Sequence, residues 1–394
     1  MDSGNMNAFH RCGADQLLLP DFPKNIFPGL LLILGIIGGC SSVPVPPTRV
    51  PIQRHLLEQA RYVEVTYTAM HPDHISYFKH LPSSTPTIPD SHACKPRAAS
   101  QPAVRGAWIW NVQWLLDHHA AVSALVKRAR NLRLNRLYLF VSGKLPAYAS
   151  ILREIKSRGI QVYATVGDPS DVDHWRRVDH AITAVLAFNR VHENGFSGLQ
   201  FDIEPYALKG FPEHRKAVYA RYARLLRKIR IRIGRSLPWS VVIPFWFDQV
   251  RQGRGSLLTF VLRQADGITI MAYRSRYREI LALARTGLCA GQLMDKPVDL
   301  GVEMAPMPDQ SHYFLTRRQF SRDIRNHHGH LYFVGQGPPS GRIALHYEVR
   351  GSDLSFYPHM GSLARLINRR PGYGSFGGWI IDGLEEGARA VKNH

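Results

Sequence analysis

Ser197-Gly198-Leu199-Gln200-Phe201-Asp202-Ile203-Glu204-Pro205-Tyr206 is the stretch that decides the fold. A strand turns successive side chains to opposite faces. Leu199, Phe201 and Ile203 then share an apolar face suited to packing under helices, and Gln200, Asp202 and Glu204 share a polar one. Three polar groups on a buried face are costly unless they are paired or at work. In a closed parallel barrel the second face points inward, and the C-terminal ends of the strands carry the active site. Two residues of strand put the Cβ atoms of Asp202 and Glu204 roughly 6–7 Å apart. Crowding at that range raises the pKa of one carboxyl, as an acid catalyst requires.

Strand-like apolar runs recur on either side of this segment. They are Gly106–Trp110, Arg136–Ser142, Ile160–Val166, Gly198–Glu204, Ser240–Phe247, Gly267–Ala272, Val298–Met304 and Phe376–Ile381. Helical patterns lie between most of them. The clearest covers 214–235, with Val218, Tyr222, Leu225, Ile229 and Ile233 on one stripe and Arg221, Arg224, Lys228 and Arg232 on another. Alternating β and α units in this number predict an α/β fold, a (β/α)8 TIM-type barrel over residues 105–394. An open doubly wound sheet is the alternative. Residues 330–350 read as an inserted hairpin before the last strand, although Ile343–Tyr347 also fits as the eighth strand, followed by an appendage.

Other predicted strand ends carry chemistry too. On the fifth, Val242, Pro244, Trp246 and Asp248 share a face, so Trp246 is placed to stack on a sugar ring or to pack in the core. On the seventh, Asp299, Gly301 and Glu303 face inward, and Glu303 is a candidate base, nucleophile or partner of Arg274. Asp168, in Val-Gly-Asp-Pro, fits a helix cap. Asp382 closes the eighth strand as the weakest candidate.

Residues 27–39 form an apolar run of about a dozen residues, too short to span a bilayer comfortably but suited to a secretory signal. It ends in Ile37-Gly38-Gly39-Cys40, which resembles the lipobox of bacterial lipoproteins. The resemblance implies a signal peptide over 1–39, lipidation of Cys40, and a protein anchored in the bacterial cell envelope. The region before the run carries few positive charges, and Met6 is a second candidate start. Residues 40–104 are Pro-rich and read as a tether, within which Gln53–Tyr67 fits a short helix or strand. Cys94 and Cys289 are then free to pair in an oxidising compartment.

The net charge is +20, which favours anionic partners. For an exported protein these are lipid headgroups or an anionic glycan rather than nucleic acid, and the basic helix has no aromatic interleaving suited to base stacking. No phosphate-binding loop, dinucleotide fingerprint, HExxH or GxSxG is present, so no cofactor or metal is expected.

Segment 197–204 resembles the fourth-strand signature of family-18 glycoside hydrolases, the chitinase-like barrels, which read Asp-Gly-x-Asp-x-Asp-x-Glu. The last Asp and the Glu are kept as Asp202 and Glu204, whereas Ser197 and Gln200 replace the first two Asp. Met271-Ala272-Tyr273-Arg274 is similar to the family's sixth-strand Met-x-Tyr-Asp, with Arg274 in place of the Asp. The whole pattern also resembles a group of bacterial glycosidase-like barrels. These resemblances imply that Glu204 is the general acid and Asp202 the stabiliser, with Tyr273 beside them, and strand alternation adds Glu303 to the same set. Gln200, Tyr206, Trp246, Asp248 and Arg274 are the candidate glycan-binding residues. They imply a glycosidase, with a non-catalytic carbohydrate-binding protein on the same barrel as the alternative.

Overall fold

The computed structural model describes residues 103–142, 145–208, 211–316, 324–327, 330–333, 343–357 and 359–384, with 62–68, 72–78, 94, 97 and 98. The segment read as a signal peptide and Cys40 lie outside the described residues.

Eight parallel strands close on themselves: β1 Val104–Ile109, β2 Arg136–Phe140, β3 Gln161–Val166, β4 Gly198–Phe201, β5 Trp239–Pro244, β6 Gly267–Met271, β7 Val298–Glu303 and β8 Phe376–Asp382. Closure comes from β8 pairing in parallel with β1, Gly378 opposite Val104. This is a (β/α)8 barrel, not the open sheet. Helices cover it through the stripes that the sequence predicts. Helix Phe211–Ile233 buries Val218, Tyr222, Leu225, Ile229 and Ile233.

The barrel interior is filled in layers. Gly301 leaves room for the Trp108 ring, which a Cβ there would meet at 2.9 Å. The Trp108 indole N–H crosses from β1 to β4 and donates to Gln200 Oε1 at 2.6 Å. The Gln200 amide nitrogen in turn donates to Thr269 Oγ1 at 3.1 Å and Ser240 Oγ at 3.3 Å. Nearer the N-terminal ends of the strands, Tyr138 donates to Asp299 Oδ2 at 3.4 Å and the Arg136 guanidinium lies 4.3 Å from the centre of the Tyr163 ring. Burial pushes the Asp299 carboxyl up to about 6, against the pull of Arg136 and Tyr138.

Three expectations are corrected. The predicted fourth strand ends early, at Phe201, and the chain turns into a short 3-10 helix, Pro205–Ala207. Pro205 lacks the N–H that a continuing ladder needs. The fifth strand also stops early, at Pro244, and Phe245–Asp248 form a 3-10 turn. Strand alternation therefore does not carry through to Trp246 and Asp248. Lastly, Ile343–Val349 is no barrel strand. It belongs to an antiparallel sheet ordered Ile343–Val349, Gln310–Thr316, Tyr62–Thr68, Pro72–Phe78. The insertion before β8 thus begins near Gln310, earlier than 330, and includes a separate hairpin, Ile324–His327 with His330–Phe333. Two strands from the stretch read as a tether complete the sheet, a pairing between segments more than 200 residues apart in the chain. Cys94 and Cys289 form a disulfide that ties this stretch to helix Tyr277–Met294.

Candidate active site

β4, β6, β7 and β8 deliver five acidic or phenolic groups, Asp202, Glu204, Tyr273, Glu303 and Asp382, to one end of the barrel. Asp202 follows β4 directly, its amide donating to the Val166 carbonyl of β3 at 2.9 Å. Gly167 makes this approach possible, because a Cβ there would lie 2.0 Å from the Asp202 carbonyl oxygen. Glu204 is 8% exposed, and the Tyr206 hydroxyl donates to its Oε1. Asp382, at the end of β8, is held on both oxygens. Oδ1 accepts from the Trp110 indole at 2.8 Å and from the Gly383 amide at 2.9 Å, and Oδ2 accepts from the Tyr273 hydroxyl at 2.7 Å. Glu303 stands opposite Asp382 in the β7–β8 register, and its Oε1 accepts the Met304 and Ala305 amides at 2.8 and 2.6 Å. Gly383, at φ +69°, leaves space for that carboxylate.

Burial and mutual repulsion disfavour full ionisation of the three carboxyls Asp202, Glu204 and Asp382. Asp202 is raised well above the usual range by burial first, then by Glu204 and Asp382. Glu204 is raised to about 7 by burial; the Tyr206 hydrogen bond pulls it down and Asp382 pushes it up. Asp382 is raised by burial, with Trp110, Tyr273 and Gly383 pulling it back. The phenol of Tyr222, from helix Phe211–Ile233, is raised by burial and then chiefly by Asp202, which places it beside the same acids. Among the described residues, Asp202 Oδ1 is buried with no hydrogen-bond partner. Buried polar atoms in folded proteins are mostly hydrogen-bonded.

The structure brings Asp202, Glu204, Tyr206, Tyr273 and Glu303 to this end. Gln200 lies a layer below, its amide engaged at both ends by barrel side chains. Arg274 is buried and donates to the Tyr273 carbonyl at 2.8 Å. Trp246 is buried too, packed edge-on against Tyr206 with ring centres 5.2 Å apart, which leaves no open face for a sugar. Asp248 faces outward to the Thr286 side chain of helix Tyr277–Met294, its carboxyl raised to about 6 by burial. Asp168 caps the 3-10 helix Pro169–Val172 in a capping box with Asp171. Sequence reasoning undervalued Asp382 and missed Trp110 and Tyr222. Asp382 and Trp110 have the same signal as Glu204, a position at a strand's C-terminal end. Tyr222 has none, since it reads as part of a helix's apolar stripe.

Fold and site together define a (β/α)8 barrel with a coupled set of carboxyls at the C-terminal ends of its strands. No family model and no curated protein matches the chain. Among solved structures it is similar to a GH18 chitinase from Cycas revoluta in complex with (GlcNAc)3, at 11% identity, 71% of this chain, 94% of that chain and a TM-score of 0.38. It is also similar to the spore cortex-lytic enzyme SleL of Bacillus cereus, at 13% identity over 78% of this chain and 73% of that one, TM-score 0.37. A third is the chitinase-like agglutinin of Robinia pseudoacacia, at 12% identity over 74% and 99%, TM-score 0.36. What each of these binds or cleaves belongs to that protein.

Proposed function

We propose that the protein hydrolyses a glycosidic bond in an envelope or extracellular polysaccharide, with Glu204 as general acid and Asp202 as stabiliser. The observation that carries this is the bare, buried Oδ1 of Asp202 beside the protonatable Glu204 at the barrel mouth. Near neutral pH the coupled set retains a proton. Positive charge developing at the anomeric carbon draws Asp202 into its ionised form and leaves the proton on Glu204 for the departing oxygen. The C–O bond breaks as that proton moves. Water then supplies the hydroxyl to the anomeric carbon and returns its proton to Glu204. The Tyr206 hydroxyl supports the carboxylate between the two steps. Trp110 and Tyr273 lock Asp382, and Asp382 fixes the Tyr273 phenol at the mouth. Gln200 and Trp246 support the floor and wall from within the core, and Asp248 and Arg274 buttress neighbouring elements.

The test is a hydrolysis and binding screen over a broad glycan panel, run with the wild type and Glu204→Gln. The expected result is turnover in the wild type and a loss of about 10²–10⁴-fold or more in Glu204→Gln, with binding kept and no fall in melting temperature. Full activity in Glu204→Gln removes it as the acid. Binding without turnover by the wild type moves the assignment to a non-catalytic carbohydrate-binding protein. One observation favours that second reading: Glu204 is 8% exposed and capped by Tyr206.

The proposal extends to location, with the chain anchored in the bacterial envelope by a lipid on Cys40. The Cys94–Cys289 disulfide supports an oxidising compartment. Mass spectrometry of the mature N-terminus decides it, and an intact chain beginning at Met1 or Met6 overturns it.

A further inference from the structure

Among the described residues, four large apolar side chains are strongly exposed: Trp114 at 42%, Val191 at 76%, Ile231 at 82% and Leu293 at 66%. Trp114 lies on the helix that follows β1 and stacks on His118. The other three share a place in the fold. Val191 ends helix Trp175–Val191, Ile231 is in the last turn of Phe211–Ile233, and Leu293 is in the last turn of Tyr277–Met294. Those helices lead into β4, β5 and β7. All three residues therefore mark the end of the barrel opposite the carboxyl cluster.

The same end is cationic. Arg133, Arg158, Arg190, Arg235, Arg263 and Arg370 are all exposed in the last helical turns or the connections that lead into β2, β3, β4, β5, β6 and β8. The acids in the same last turns and connections, with the one into β7 included, are Glu154, Glu193, Asp266 and Asp295; Glu154 accepts from Ser123 Oγ at 2.6 Å and Asp266 from the Trp239 amide at 3.0 Å. Basic residues are favoured in the last turn of a helix by its dipole. That accounts for Arg190 and Arg263. It does not account for Arg133, Arg158, Arg235 and Arg370, which lie beyond the helix ends, nor for exposed Val191, Ile231 and Leu293. Arg133 also adopts φ +53°, a left-handed conformation disfavoured for a side chain, whereas Gly159 and Gly234 fill such positions after two other helices.

We propose that this end of the barrel docks on an anionic phospholipid surface. Arginines contact the headgroups, and Val191, Ile231 and Leu293 enter the headgroup–acyl boundary. Mixed cationic and isolated apolar side chains on one face match that interface better than they match a hydrated polyanion, which offers nothing to aliphatic groups. The carboxyl cluster then faces away from the bilayer. The inference is independent of the catalytic reading and of the proposed lipid anchor.

The experiment uses the full chain carrying Cys40→Ala, so that no acyl group contributes. Its partitioning is measured onto vesicles of phosphatidylcholine alone and with phosphatidylglycerol. The difference between the two cancels any contribution from the apolar run 27–39. The expected result is at least about tenfold stronger binding to the anionic vesicles, falling as salt rises. Combined Arg133→Glu, Arg158→Glu and Arg235→Glu should abolish that preference, with Arg→Gln versions as a milder set if folding suffers. Combined Val191→Ser, Ile231→Ser and Leu293→Ser should weaken the binding that survives high salt. Equal binding to both vesicle types overturns the proposal. So does an anionic preference unchanged in the arginine variants. Displacement by a soluble polyuronate, with the serine variant binding as tightly as its parent, reassigns the face to an anionic glycan.

Discussion

Removing the Tyr206 hydroxyl takes away the donor that favours ionised Glu204, so Tyr206→Phe should raise the Glu204 pKa above its present value of about 7. A general acid works while protonated. The alkaline limb of the pH–rate profile should therefore move to higher pH in this variant, and a limb that stays put removes Glu204 as the group titrating there. The same carboxyl affects stability. Its folded pKa is raised from 4.5 to about 7, mainly by burial. The folded state thus binds the proton more tightly than the unfolded chain, and stability falls as pH rises through that interval before levelling off. Glu204→Gln removes this penalty. Its melting temperature should match the wild type near pH 4 and exceed it by several degrees at pH 8, as thermal denaturation at both values will show.

Elements are joined across the barrel by the Trp108–Gln200 bond and its two hydroxyl partners. Gln200→Leu keeps roughly the same bulk but leaves the Trp108 indole N–H without its acceptor in a fully buried layer. A loss of about 1–3 kcal/mol is expected by denaturant unfolding, while the KM for the proposed reaction stays near wild type because the side chain touches no ligand in this reading. A large rise in KM at unchanged stability would place Gln200 in the binding site after all. Gly167 acts on the loop that follows β3. Gly167→Ala drives its Cβ into the Asp202 carbonyl, 2.0 Å away, so it should displace Asp202 and cut turnover more than stability. Comparing kcat with melting temperature separates the two effects.

The whole molecule is tied by the disulfide between Cys94 and Cys289, which are 195 residues apart in sequence. Closing so long a loop restricts the unfolded chain strongly, and removing such a bond typically costs about 2–5 kcal/mol. The paired variant Cys94→Ser with Cys289→Ser should therefore melt well below the parent, and reductant should lower the parent to the same temperature. No response to reductant under unfolding conditions would show that the bond contributes nothing. The antiparallel sheet that joins Tyr62–Thr68 to Gln310–Thr316 spans a similar stretch of chain. The N-terminal region is thus linked to the barrel protein by two routes, backbone pairing and the disulfide.

Strand period, helix period and their alternation are local properties, and they were enough to specify the barrel. Eight runs of the right length, each with one apolar face, have few other ways to bury themselves. The same periodicity placed Asp202 and Glu204 at a strand's C-terminal end, and the sixth and seventh strands placed Tyr273 and Glu303 there too. Local pattern failed where the chain leaves the strand. Alternation was carried past Phe201 on the fourth strand and past Pro244 on the fifth, so Trp246 and Asp248 were expected at the mouth, whereas the 3-10 turn buries one and sends the other toward Thr286. Only the tertiary structure showed Asp382 as a partner of Glu204, because β8 reaches that acid through barrel closure and not through sequence proximity. The tertiary structure alone also gave the pairing of the N-terminal strands with the late insertion and the gathering of Val191, Ile231 and Leu293 at one end. Contacts between residues hundreds of positions apart leave no local period to read. They are chosen by which surfaces remain to be buried once the local elements have formed.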